Sequence, residues 1–358
     1  MLGLILAIIL SVVALIFKRS KLVTILLFIL MWILFGWNYW NGDYDMYERN
    51  YKESIFALFE KTYETGYVLL NILFNSFQFS FQEFFMTMSG ISLLLLLRFV
   101  LKYSLYPALF SVIFLWIFLP LDYVLLRNFI AFSIVLQGIC SLIDNVKYKY
   151  LKFILFVLLA STIHSSSIFY LLILVIAARD TELKFQVILG AAVGITMFYA
   201  TFGKLILYNF LEDFGGGRGE FYQTNLVTFF SLFLAQLLCT NFLVYAYSKI
   251  EAEQKTFINS NFYLLFFNIN LIFFFLVVLY YDFSIFVRLF RHISIINCIL
   301  ITNILYHLNK NKSEELIVPK LLINVFFVLY LFFFLSYFVF PFDYFTIFPM
   351  FENNLILS

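Results

Sequence analysis

The chain has 358 residues, of which 64% are hydrophobic, 22% aromatic and 12% charged, against about 25% charged and 45–50% apolar in an average soluble domain. A soluble globular protein, a disordered chain and a fibrous one are thereby excluded. The formal net charge of +2, from 23 Lys and Arg against 21 Asp and Glu, gives no basic surface for nucleic acid.

The apolar stock is about 229 residues, roughly enough for eleven or twelve membrane-crossing helices at about 20 each. The expected architecture is an all-α polytopic integral membrane protein, one membrane domain over 1–358 with about twelve transmembrane helices. Its first apolar run, Met1–Phe17, precedes the basic residues Lys18, Arg19 and Lys21. A secretory signal peptide carries its positive charge first, so this order predicts a short helix whose basic end is cytoplasmic. A second helix is predicted at 22–40. A long extracytoplasmic loop follows at 41–83, whose apolar part 67–79 is expected to lie in the membrane interface. Further helices are predicted at 84–101, 103–119, 124–143, 151–163, 166–178, 185–209, 224–247, 258–281, 284–306 and 317–340, with a second extracytoplasmic loop at 210–223. The cysteines Cys140, Cys239 and Cys298 lie far apart in apolar stretches, which suits packed thiols and implies neither a zinc site nor a disulfide.

Residues 151–178 would exceed the usual upper limit of about 25 for a single span. The polar group Ser161-Thr162-Ile163-His164-Ser165-Ser166-Ser167 stands in the middle of this stretch. A break there puts fifteen of the 23 basic residues on the cytoplasmic side, whereas one continuous span divides them 12 against 11. The positive-inside rule therefore favours a broken or hairpin element near His164. With that topology, five of the eight outer basic residues are arginines, namely Arg49, Arg127, Arg218, Arg288 and Arg291, while twelve of the fifteen inner ones are lysines. Orientation needs only positive charge. A planar fork of donors suits phosphate or carboxylate, so the outer face reads as a site.

Each candidate has a bland reading beside the functional one. Gly215-Gly216-Gly217-Arg218-Gly219 lacks the Lys-Ser/Thr of a phosphate loop and follows no strand, so it reads as a flexible outer loop with Arg218 as its functional candidate. His164 is either a hydrogen-bonded core residue or a proton acceptor at a helix break, where irregular backbone at membrane depth lines a cavity. Arg127 stands one turn below Asp122 and could snorkel beside it. Arg288 and Arg291, three apart, share a helical face, and two guanidiniums in an apolar helix are expensive unless they meet an anion. Asp43 and Asp45, with Tyr44 and Tyr47, are either solvated interfacial residues or part of a sugar-binding surface whose rings stack on pyranose faces.

Gly42-Asp43-Tyr44-Asp45-Met46-Tyr47, then Glu64-Thr65-Gly66-Tyr67, Leu126-Arg127-Asn128-Phe129-Ile130-Ala131 and Ala160-Ser161-Thr162-Ile163-His164-Ser165-Ser166-Ser167-Ile168 follow one another in the chain. In that order they resemble the EpsG-type branch of the Wzy-like polysaccharide polymerases. The resemblance covers residues 1–180 best. The sequence departs from the family at Gly36-Trp37-Asn38, where an arginine is common, and at Asn128, where a glutamine is common.

The resemblance implies a membrane glycosyltransferase of the bacterial inner membrane, with its site facing the extracytoplasmic side. It would join oligosaccharide repeat units of a capsule, exopolysaccharide or O-antigen, carried on undecaprenyl pyrophosphate, and work with the lipid bilayer and a chain-length regulator. On this expectation Arg127, Arg288 and Arg291 bind the pyrophosphate, and His164, helped by Asp43, takes the proton of the acceptor hydroxyl. Asp45, Tyr47, Glu64, Tyr67, Ser167 and Arg218 contribute to substrate binding, with no metal and no cofactor. A flippase of lipid-linked oligosaccharide is the competing class, since a broken helix and intramembrane arginines suit it as well. Against it stand the lack of a visible repeat and the gathering of polar residues on one side. A membrane O-acyltransferase is the third reading, carried only by the need for a histidine.

Overall fold

A computed structural model describes residues 1–56, 64–177, 226–248, 260–273, 280, 285–310 and 317–357. The helix predicted at 185–209 and the loop predicted at 210–223 lie outside these residues. Among the described residues the regular elements are helical. They are α1 (Leu2–Ile16), α2 (Lys21–Gly36), α3 (Tyr44–Lys52), α4 (Thr65–Ser76), α5 (Phe81–Tyr103), α6 (Pro107–Asp122), α7 (Leu126–Ile143) and α8 (Lys149–Ile163). After them come α9 (Ser165–Ala177), α10 (Leu226–Ser248), α11 (Ser260–Phe273), α12 (Ile285–Lys310), α13 (Ile317–Phe334) and α14 (Ile347–Glu352).

Among the described residues, four helices are long and apolar enough to cross a membrane: Phe81–Tyr103, Leu126–Ile143, Phe286–Lys310 and Ile317–Tyr337. Several other apolar helices are shorter; α1 has 15 residues and α2 has 16. At 1.5 Å per residue such helices reach about 22–24 Å, less than the roughly 30 Å of a hydrocarbon core. Of the expected architecture, the all-helical class is seen among the described residues, four of whose helices have the length and composition of a membrane span.

The chain divides into two compact units. The first comprises Met1–Ser141, Leu151–Ser167 and Leu331–Ser358, and the second Leu142–Tyr150 and Ile168–Tyr330.

In the first unit, local chemistry fixes the helix starts. The Ser20 hydroxyl accepts the Val23 N–H at the head of α2. At the head of α5, Ser80 and Glu83 satisfy each other's backbone N–H groups in a capping box. The crossing of α2 and α5 is tight, since a Cβ on Gly90 would stand 2.7 Å from the Trp32 indole nitrogen, and that nitrogen donates to the Met86 carbonyl at 2.9 Å. Small residues let membrane helices approach in this way. In α6, Pro120 offers no N–H, and the ladder widens to a π turn over Phe114–Phe118.

The stretch expected as an open loop at 41–83 holds two helices. α4 takes the place of the expected interfacial helix, whereas α3 was not expected. Tyr44, Tyr47 and Tyr51 are spaced at three and four residues and form its buried face. Tyr44 donates to the Gln82 side chain at 2.8 Å, and Tyr51 to the Phe79 carbonyl at 2.7 Å, which docks α3 on the start of α5. Burial is the main reason the Tyr44 phenol is pushed up to about 12, helped by Glu48 and Asp45.

The end of α2 is closed by a distant segment. The Asn38 amide donates to the Pro349 and Asn353 carbonyls at 2.8 and 3.0 Å. The Asn354 amide donates to the Ile33 carbonyl at 2.8 Å, and Leu355 N–H to the Trp37 carbonyl at 2.9 Å. These bonds satisfy carbonyls that a helix end leaves open.

Candidate functional site

Within the first unit, the break at His164 is where polar side chains gather. The Ser161 and Thr162 hydroxyls donate back to the Leu158 and Leu159 carbonyls at 2.7 Å, a competition that weakens the end of a helix. The His164 N–H completes the last α8 turn on Ala160 at 2.9 Å. α9 then begins as a 3-10 helix over Ser165–Ile173, with the Ser167 N–H on the His164 carbonyl at 3.0 Å. The break expected from the charge pattern is therefore present, between Ile163 and Ser165.

Glu64 fills that break. It is the N-cap residue of α4, yet its side chain makes no capping bond there. Its Oε1 instead accepts the Ser165 N–H at 3.0 Å and the Ser165 hydroxyl at 3.1 Å, so a carboxylate from one segment caps the start of another. The same oxygen lies 3.5 Å from His164 Nδ1. Oε2 takes Arg127 Nη1, from the first turn of α7, at 2.6 Å. The three side chains expose 19%, 6% and 13% of their surface for Glu64, His164 and Arg127, so the charges meet in a largely dry place. Burial alone would raise the Glu64 carboxyl, but the hydrogen bond from His164, the Arg127 charge and the Ser165 N–H outweigh it. Together they hold the group well below the usual carboxylate range.

Two tyrosines support the guanidinium. Arg127 lies over the Tyr67 ring at 5.5 Å and the Tyr47 ring at 5.8 Å, within cation–π range, and the two rings meet edge to face at 6.1 Å. Both tyrosines are buried. The close seating of α4 depends on Gly66, where a Cβ would stand 2.6 Å from Thr162 Cβ and 2.7 Å from the Thr162 carbonyl oxygen, and would also meet its hydroxyl.

Five of the residues singled out from the sequence thus converge: Tyr47, Glu64, Tyr67, Arg127 and His164. Ser167 is buried in the turn beside His164. Asp43 stands at the head of α3, one turn from Tyr47; its N–H meets the Asn41 side chain at 3.0 Å and its carbonyl accepts the Tyr47 N–H. Asp45 is exposed on α3. Arg218 lies outside the described residues. Arg288 and Arg291 belong to α12 in the second unit, where Arg291 is buried and Arg288 partly so. Among the described residues, no three His, Cys, Asp or Glu side chains gather so as to hold a metal ion.

The second unit carries a polar interior of its own. His292 Nδ1 is 2.8 Å from the Tyr170 hydroxyl. The Asn270 and Asn297 amides exchange two hydrogen bonds of 2.8 Å, and Tyr280 donates to the Gln236 side chain at 2.9 Å. The single-sequence reading missed these pairs and the role of Ser165. A signal existed for Ser165, in the polar run around His164. The amide pairs join residues far apart in the chain and leave no periodic trace.

Compared with known families, the chain matches the family model of the EpsG family over residues 21–350. The chain belongs to the EpsG family. Membership agrees with the elements quoted from the sequence and, with the apolar helices, makes this a membrane protein of polysaccharide-polymerase type. Comparison with curated proteins finds no match, and comparison with solved structures finds none either.

Proposed function

We propose that this EpsG-family protein is a membrane glycosyltransferase that joins oligosaccharide repeat units carried on undecaprenyl pyrophosphate, at the extracytoplasmic face of the inner membrane. The observation that carries the reading is the convergence of Arg127, Glu64 and His164 on a helix break. Donor binding places a diphosphate against guanidinium groups, Arg127 of the first unit among them. The acceptor hydroxyl attacks the anomeric carbon of the donor glycan, and the bond from that carbon to the diphosphate oxygen breaks. The electron pair leaves on the diphosphate, where arginine stabilises the growing charge. The hydroxyl proton passes to His164, with Asp43 assisting. Asp45 and Ser167 serve the sugar, while Tyr47 and Tyr67 keep the guanidinium in place from below.

The test is Arg127→Lys and His164→Ala in cells lacking the native copy. Lysine keeps the charge but loses the planar fork, and losing one donor aimed at a developing charge costs about 10²–10³ in rate. Long polysaccharide is expected to disappear while single lipid-linked repeat units build up on the outer leaflet. Wild-type amounts of long chains with both variants refute the assignment, and units trapped on the inner leaflet point to a flippase instead.

A further inference from the structure

The carboxylate of Glu64 is held through both of its oxygens: Oε1 accepts the Ser165 N–H and hydroxyl and faces His164 Nδ1 at 3.5 Å, and Oε2 accepts Arg127 Nη1. Its placement is also rigid, because the residue two positions on, Gly66, is packed against Thr162 with no room for a methyl group. A carboxylate facing Nδ1 selects the imidazole tautomer that carries its hydrogen there. Nε2 then presents a lone pair, and the imidazolium formed on protonation meets a negative charge. The 3.5 Å separation suits a resting site, where catalytic hydrogen bonds are often long and tighten when substrate binds.

We infer that Glu64 is a positioning residue, which fixes His164 with Nε2 as the proton acceptor and counterbalances the charge of Arg127. The inference rests on the polymerase reading only in so far as His164 is its base. A second consequence follows from the ion pair. Removing the negative charge leaves Arg127 more available to a diphosphate, so binding of the donor should not weaken when the proton transfer does.

Two experiments test this on the full-length protein in lipid nanodiscs. In the first, elongation is measured with repeat units on undecaprenyl diphosphate extracted from a strain lacking this gene. Glu64→Gln, which keeps the size and one acceptor oxygen, is expected to lower kcat roughly 10²-fold, the scale of one acid–base contribution, with KM for the donor unchanged or lower. A kcat within twofold of wild type overturns the inference, as does a loss carried entirely by a higher KM. In the second, nitrogen-15 NMR of labelled histidine reads the His164 tautomer, its signals assigned by their loss in His164→Ala. The wild type is expected to carry the hydrogen on Nδ1 and Glu64→Gln to lose that preference. A hydrogen on Nε2 in the wild type overturns the inference. If the wild type elongates nothing, the polymerase reading fails, while the NMR result still decides the placement of His164.

Discussion

Gly66→Ala is the sharpest probe of the site, because it adds one methyl group away from every charge. The new Cβ would stand 2.6 Å from Thr162 Cβ and 2.7 Å from the Thr162 carbonyl oxygen, whereas carbon atoms prefer about 3.5–4.0 Å. The head of α4 must therefore retreat by about 1 Å, and Glu64 moves with it. The 3.0 Å bond from Ser165 N–H to Glu64 would lengthen beyond the usual limit of about 3.2 Å. Overpacking costs about 1–3 kcal/mol, and a hydrogen bond to a charged group is worth about 1.5–3 kcal/mol. Alanine returns about 1 kcal/mol as the better helix former. The balance is a destabilisation of about 2–5 kcal/mol from these terms, with activity down roughly 10²-fold for a misplacement of this size. Thermal unfolding of the purified protein reads the first, and polysaccharide chain length in complemented deletion cells reads the second. Adding Thr162→Ala should restore only part, since it removes the hydroxyl but leaves the Cβ and the backbone carbonyl in the way. Wild-type chain length and an unchanged unfolding midpoint in Gly66→Ala alone would show that the seating of α4 is not what holds Glu64.

Two further outcomes follow from the same geometry. Removing the Glu64 charge breaks a mostly buried pair, so Glu64→Gln should unfold more easily at neutral pH, by about 3–5 kcal/mol. Because the native carboxyl titrates below its ordinary 4.5, this stabilisation is complete above that pH and is lost as the pH falls below it. The gap in unfolding midpoint between wild type and Glu64→Gln should thus be flat near neutrality and narrow under acid conditions; a gap that widens in acid contradicts the assigned ionisation. In the second unit, Asn270→Leu leaves the Asn297 amide without its reciprocal partner, at a cost of about 1–3 kcal/mol. Asn270→Leu with Asn297→Leu should be milder than the sum of the singles in thermal unfolding, and strict additivity would mean the two amides are not coupled.

Fold class was legible because it follows from composition and pattern: apolar runs this long and continuous suit helices in a bilayer and lack the alternation of a barrel strand. Helix positions followed hydropathy, and the break at His164 followed from charge placed on either side of it. α3 was missed because its tyrosines alternate with Asp45, Glu48 and Arg49, so its mean polarity is that of a loop although its buried face is regular. At the site, Arg127, His164 and Glu64 stood out as chemistry-bearing residues. Their pairing did not, because Glu64 and Ser165 are 101 residues apart and nothing local specifies that one caps the helix begun by the other.

The bonds that seal the end of α2 join residues 311 to 321 positions apart, and this bears on biogenesis. Asn353 and Asn354 are synthesised long after Asn38 has left the ribosome, and closing so long a loop carries an entropic cost that only the later contacts offset. Until then the end of α2 lacks this closure, although α3 is already docked on the start of α5 by Tyr44 and Tyr51. A nascent chain halted before those asparagines therefore already holds Arg127 and His164 while the end of α2 is still unsealed.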